Sequence, residues 1–169
     1  MKKISFLFVF LVVLCFSLSD LAFAKEDIKH FACKYCGMDL EKYAHSRMYI
    51  EYEDGTTEGL CSIHCAGVEF ALKIDKTPRA IMVGDYNTKK LIDAEKAFWT
   101  IGGNKLGVMT TRAKWAFEKE DDAKRFVREN GGRLATFEDA MKAAYEDLYQ
   151  DTKMIREKRK MKRMKKKTD

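Results

Sequence analysis

Every cysteine beyond the first two dozen residues falls in one of two short segments, Cys33-x-x-Cys36-Gly37-Met38 and Cys61-x-x-His64-Cys65. Together they offer four thiols, one imidazole and one thioether. Thiolate and thioether sulfurs are soft donors that favour soft or borderline metal ions over hard ones. Met38, two residues after Cys36, tilts the set towards copper(I), because a thioether is a poor zinc ligand whereas Cys and Met together suit a soft monovalent ion. The same thiols, read as Cys-x2-Cys and Cys-x3-Cys, also suit a structural zinc held by a turn and a helix start. Thiol–disulfide exchange through Cys33 and Cys36, with Cys61 and Cys65 as a second pair, is a third chemistry open to them.

The elements that must carry these residues can be read on either side of them. Gly37 allows a positive φ beside the first cluster. Ser46 to Glu53 alternates as a strand, Asp54-Gly55 is a hairpin turn, and Thr56 to Leu60 returns to deliver Cys61. Ser62 is a fitting N-cap for a helix to about Lys73, with Cys65, Val68 and Leu72 on one face and His64 and Cys65 in its first turn. A helix N-terminus lowers thiol pKa values, so Cys61 and Cys65 are expected to be good thiolates. Thr77-Pro78 closes this stretch, and Ala80 to Val83 reads as a buried strand.

The order strand, strand, helix, strand recurs as Leu106 to Thr110, Ala113 to Glu118, a helix from about Glu120 to Asn130 stopped by Gly131-Gly132, and Arg133 to Thr136. The expected fold is α+β, one domain of two ββαβ-like units with mixed sheets. A C-terminal helix starts near Thr136 and runs through Met141, Ala144, Tyr145 and Leu148. Beyond Asp151 its apolar stripe gives way to basic residues, expected to be disordered or a frayed extension.

Residues 1–24 read as a secretion signal: Lys2 and Lys3, an apolar run from Ile4 to Leu18, and a small-residue cleavage site at Ala22-Phe23-Ala24. The run is short for a membrane span; if retained, the leader would act as an anchor. An exported, periplasmic location follows, where structural disulfides are the default for four cysteines, although the aromatic and aliphatic content of residues 25–152 supplies a core without them. Ten Lys or Arg against Glu157 and Asp169 give residues 153–169 a net charge of +8, which leaves residues 25–152 near −3. Such a tail suits anionic lipid headgroups or an acidic partner, and export disfavours nucleic acid. No nucleophile and base set, phosphate-binding glycine loop or paired carboxylates point to an enzyme.

Cys36-Gly37-Met38, Ile101-Gly102 followed by Gly107-Val108-Met109, Ala116-Phe117, and Asn130-Gly131-Gly132-Arg133 with Phe137 after it resemble, in order and spacing, the NosL family of exported copper-binding proteins. The resemblance implies a duplicated ββαβ fold and a copper(I) chaperone of the kind that supplies the copper centres of nitrous oxide reductase. Its partner would be a copper-receiving client or an ABC-type maturation machinery. By similarity, Cys36, Met38 and Met109 are the ligand positions to carry over. Many members have a single cysteine in the first cluster and none at the helix start, so Cys33, Cys61, His64 and Cys65 are additional or alternative ligands here. The expectation is thus a non-enzymatic copper(I) carrier, with a structural zinc module and a thiol–disulfide oxidoreductase as alternatives.

Overall fold

The computed structural model describes residues 30–168, so the expected leader lies outside the described residues. Met48, Ile50 and Tyr52 alternate with half-buried neighbours along β1 (Met48–Tyr52), and the tight Asp54-Gly55 turn sends the chain back as β2 (Thr57–Leu60). Gly55 takes φ +78° there, while Asp54 Oδ1 accepts the Thr56 amide at 2.9 Å. The chain then forms α1 (Ile63–Leu72), β3 (Pro78–Gly84) and the short β4 (Leu91–Asp93). These make one sheet in the order β2-β1-β3-β4.

The second unit repeats the plan with β5 (Phe98–Ile101), β6 (Lys114–Phe117), α2 (Glu120–Asn130) and β7 (Arg133–Ala135). Its sheet has the order β6-β5-β7, matching β2-β1-β3: in each unit the first strand is central, and the helix links the second strand to the third. Pairs within both sheets are antiparallel, and one parallel bridge, Asp85 to Ala116, joins the sheets. Buried Asp85 supports that seam by accepting the Glu118 amide at 2.8 Å and the Thr88 amide at 2.6 Å. Tyr86, Phe117 and Phe126 pack ring against ring beneath it. The fold is α+β.

Three sequence expectations change. In place of the expected mixed sheets, each unit's central first strand runs antiparallel to both neighbours, so the sheets are antiparallel. The opening strand of the second unit is Phe98–Ile101, not Leu106 to Thr110. The latter stretch is a tight loop: a Cβ on Gly107 would lie 2.5 Å from Thr110 and 2.9 Å from Ala113, and Met109 takes φ +62°. A strand through these residues is incompatible with that fold-back, whereas Phe98-Trp99-Thr100-Ile101 is an aromatic and β-branched run suited to a central strand. The buried face of α1 is also rotated. Leu72 is 63% exposed, and Glu69 takes the inward position.

α3 (Phe137–Thr168) begins with a reciprocal cap, in which the Asp139 amide donates to Thr136 Oγ1 and the Thr136 amide donates to Asp139 Oδ2. It packs against α1, β5 and β7. Tyr145 of α3 lies over Gly67 of α1 at the distance of an ordinary side-chain contact. Of the two expectations for the tail, the helical extension is the one seen: α3 continues through the basic residues to Thr168, and residues 157–167 are exposed. No helix among the described residues is long and apolar enough to cross a membrane.

Candidate metal centre

The first cysteine pair sits on a turn built by its own backbone. The Cys33 amide donates to Met38 O and the Gly37 amide to Cys33 O, both at 2.8 Å, and Gly37 takes φ +72°. Tyr35 and Cys36 amides point at the Cys33 sulfur, and the Met38 amide at the Cys36 sulfur. The Lys34 amide, donating to Gly59 O at 3.2 Å, docks the turn on β2. Gly59 is small for a reason: a Cβ there would lie 2.4 Å from His30 Cβ and 2.8 Å from Leu40 Cδ1. The second pair comes from the end of β2 and the first turn of α1, where the Ala66 amide bonds to Ser62 O at 3.1 Å and Ser46 Oγ donates to Cys61 O at 2.8 Å.

These supports bring the sulfurs of Cys33, Cys36, Cys61 and Cys65 to within 4.8 Å of one another. Cys36 to Cys61 is 3.4 Å and Cys61 to Cys65 is 3.7 Å, and all four are free thiols. A metal–sulfur bond of about 2.3 Å gives edges of about 3.8 Å in a tetrahedron and about 4.0 Å in a trigonal plane. The cluster therefore accommodates either coordination with little movement. Cys33, Cys61 and Cys65 are buried, whereas Cys36 is half-exposed.

Protons are shared across the cluster. Hydrogen bonds from Cys61 and Cys65 hold Cys33 far below an ordinary thiol, and the same two donors hold Cys36 at about 4 against the opposing effect of burial. Cys61 and Cys65 are pushed up by the Cys33 and Cys36 thiolates they donate to. The expectation that a helix start would make Cys61 and Cys65 the better thiolates is thus reversed without metal. Two thiolates about 4 Å apart already repel by about 4 kcal/mol at an effective dielectric of 20, so the third and fourth sulfurs keep their protons. A cation at the centre would replace those protons.

The remaining predicted ligands occupy different positions. His64 lies outside the four-sulfur group, and its Nδ1 faces the buried Asp151 carboxylate at 3.5 Å. Burial lowers its pKa, with Asp151 pulling the other way. Asp151 Oδ1 also accepts the Thr111 amide at 3.2 Å, so one carboxylate on α3 joins α1 to the glycine-rich loop. Met38 is half-buried beside Cys36, and Met109 is half-buried on that loop, two residues before Thr111.

Sequence reasoning missed two groups. Asp151 was read only as the end of an apolar stripe. Glu69 lies four residues after Cys65, on the same helix face, and a carboxylate on an inward face was the signal available. It is fully buried; Tyr35 Oη donates to its Oε2 at 2.5 Å, Tyr52 Oη donates to its Oε1 at 3.1 Å, and Lys34 Nζ is 3.2 Å from Oε2.

No curated protein matches the chain. Among solved structures, the copper chaperone NosL from Shewanella denitrificans is similar, with a TM-score of 0.53 and 21% identity over 68% of this chain and 92% of that one. At that identity the likeness establishes the fold. The NosL family model matches residues 27–145, most of the chain and all of both ββαβ units, and the protein belongs to the NosL family.

Proposed function

We propose that the protein is an exported copper(I) metallochaperone that carries the ion on its cysteine cluster and hands it to an extracytoplasmic client, such as a nitrous oxide reductase maturation system. The observation that carries this reading is the convergence of four free sulfurs within 4.8 Å, three buried and one half-exposed. Buried soft donors retain a soft ion, and a partly open thiolate gives an incoming client sulfur a place to begin ligand exchange. Cys36 is that opening, on the Gly37 turn and beside Met38. Transfer of this kind is stoichiometric and consumes no substrate. Family membership and the named copper chaperone of the same fold support copper as the cargo. The exposed basic end of α3 we assign to anionic lipid headgroups, on the strength of its charge.

A structural zinc module is the second reading. Four sulfurs from a backbone-closed turn and a helix start, with edges of 3.4 and 3.7 Å, also match tetrahedral zinc. Anaerobic titration of the reduced protein with copper(I) against a competing chelator, and separately with zinc, distinguishes the two. A copper chaperone prefers copper(I), and Cys36→Ser weakens that binding while leaving a folded chain. Zinc preference together with unfolding on metal removal would sink the copper reading.

A further inference from the structure

The geometry points to Glu69 as a positioning residue that clamps the Cys33–Cys36 turn against the helix carrying Cys65. This inference rests on the metal-carrying reading of the cluster. Both residues between Cys33 and Cys36 end on this one carboxylate: Lys34 through its ammonium at 3.2 Å and Tyr35 through its hydroxyl at 2.5 Å. Tyr52 of β1 takes the other oxygen at 3.1 Å. Lys34 is further held by Glu58 of β2. One buried point thus joins β1, β2, the cysteine turn and α1, the elements that place the four sulfurs.

A buried carboxylate is costly to place and needs charged or hydrogen-bonded partners. Here it also stands one helical turn from Cys65, near a cluster that is itself anionic, and an apolar residue would fill the space without either cost. What an apolar side chain would not do is hold the turn in register with the helix. Freed from Glu69, Lys34 and Tyr35 would let Cys33 and Cys36 move as a pair relative to Cys61 and Cys65. Displacements of only some tenths of an ångström matter when metal–sulfur bonds tolerate about 0.2 Å.

The test uses Tyr35→Phe, which removes a single hydroxyl, and Glu69→Gln, which keeps the shape and removes the charge. Copper(I) affinity by chelator competition, the rate of copper(I) loss to excess chelator, and the thiolate-to-copper ultraviolet band are measured beside the melting temperature of the metal-free protein. The expected result is a weakening of roughly tenfold to a hundredfold for Glu69→Gln, a smaller loss for Tyr35→Phe, faster release in both and a shifted band. Affinity, release and band all within twofold of the parent in Tyr35→Phe and in whichever Glu69→Gln protein folds would overturn the clamp, whatever the melting temperature does. If the parent protein takes cobalt(II) or zinc but not copper(I), the copper reading fails alone, and the same variants titrated with cobalt(II) and followed by its visible bands decide the clamp. A parent protein that binds none of these metals overturns both.

Discussion

Four sulfurs within 4.8 Å form a site whose chemistry is set by protons as much as by ligands. In the metal-free protein the four thiols share protons through their contacts, with Cys33 and Cys36 drawn towards the thiolate and Cys61 and Cys65 towards the thiol. If a metal engages all four sulfurs, its uptake near pH 7 must expel about two protons. Calorimetry in buffers of different ionisation enthalpy should detect this release, with affinity falling as pH is lowered; uptake without proton release would show that Cys61 and Cys65 are spectators. Carboxylates set a second pH response. Glu69, Asp85 and Asp147 are all held below the ordinary range: burial is the largest single effect and opposes this in each, and it is outweighed only by several partners together, Tyr35, Lys34 and Tyr52 at Glu69, the Thr88, Glu118 and Asn87 amides at Asp85, and Arg112 with Lys114 at Asp147. A depressed folded-state pKa contributes stability that is present above the unfolded value and lost as pH falls through the folded one. Denaturant midpoints are therefore expected to be insensitive to these three carboxylates at neutral pH and to drop below about pH 4.

Between elements, two contacts stand out. Asp151 on α3 meets His64 of α1 and the Thr111 amide, so it joins the helix of the first unit to the loop of the second. Asp151→Ala removes the acceptor of the Thr111 amide and the polar neighbour of a neutral His64, and should destabilise by about 1 kcal/mol in chemical denaturation; a change under about 0.5 kcal/mol would show that the link is not used. The loops ending β5 and α2 meet backbone to backbone. Gly132 takes φ +90°, and a Cβ on it would lie 2.7 Å from Ile101 O and 3.0 Å from Gly102 C. Gly132→Ala combines left-handed strain with this clash. It should destabilise by about 2 kcal/mol or more in chemical denaturation.

Across the whole molecule, charge is divided between a mildly acidic body and a basic helical end. Residues 157–167 of α3 are exposed, so a chain ending at Arg156 should unfold within about 0.5 kcal/mol of the full one. It should also lose affinity for anionic vesicles, an affinity that falls with added salt in the full chain. Vesicle binding unchanged by the truncation would remove the assignment of this segment to lipid. The two-unit plan confines the sulfur site to the first unit and its lead-in, while the second unit carries the Met109 loop and α3 packs against elements of both units. Replacing Met109 by Leu keeps the backbone strained at φ +62° and removes only the thioether. It therefore tests in the copper(I) titration whether the loop supplies a ligand.

Local features carried much of the fold. Asp54-Gly55, Asn130-Gly131-Gly132 and the Thr136–Asp139 cap mark turns and ends that short-range backbone chemistry enforces, and those boundaries hold in the structure; Ser62 stands at the start of α1 as expected but its side chain makes no capping hydrogen bond. Cysteine spacing likewise showed two thiol pairs, because a two- or three-residue spacer on a turn or helix start places sulfurs side by side. The Leu106 to Thr110 stretch misled because apolar composition does not report that Gly107 folds back on Thr110 and Ala113. Convergence of the two cysteine pairs, the choice of which sulfurs ionise, and the inward turn of Glu69 depend on groups 25 to 40 residues apart in sequence, such as Cys36 with Cys61, Tyr35 with Glu69 and Thr111 with Asp151. Electrostatic coupling acts through space, so these followed only once the strands and helices had packed.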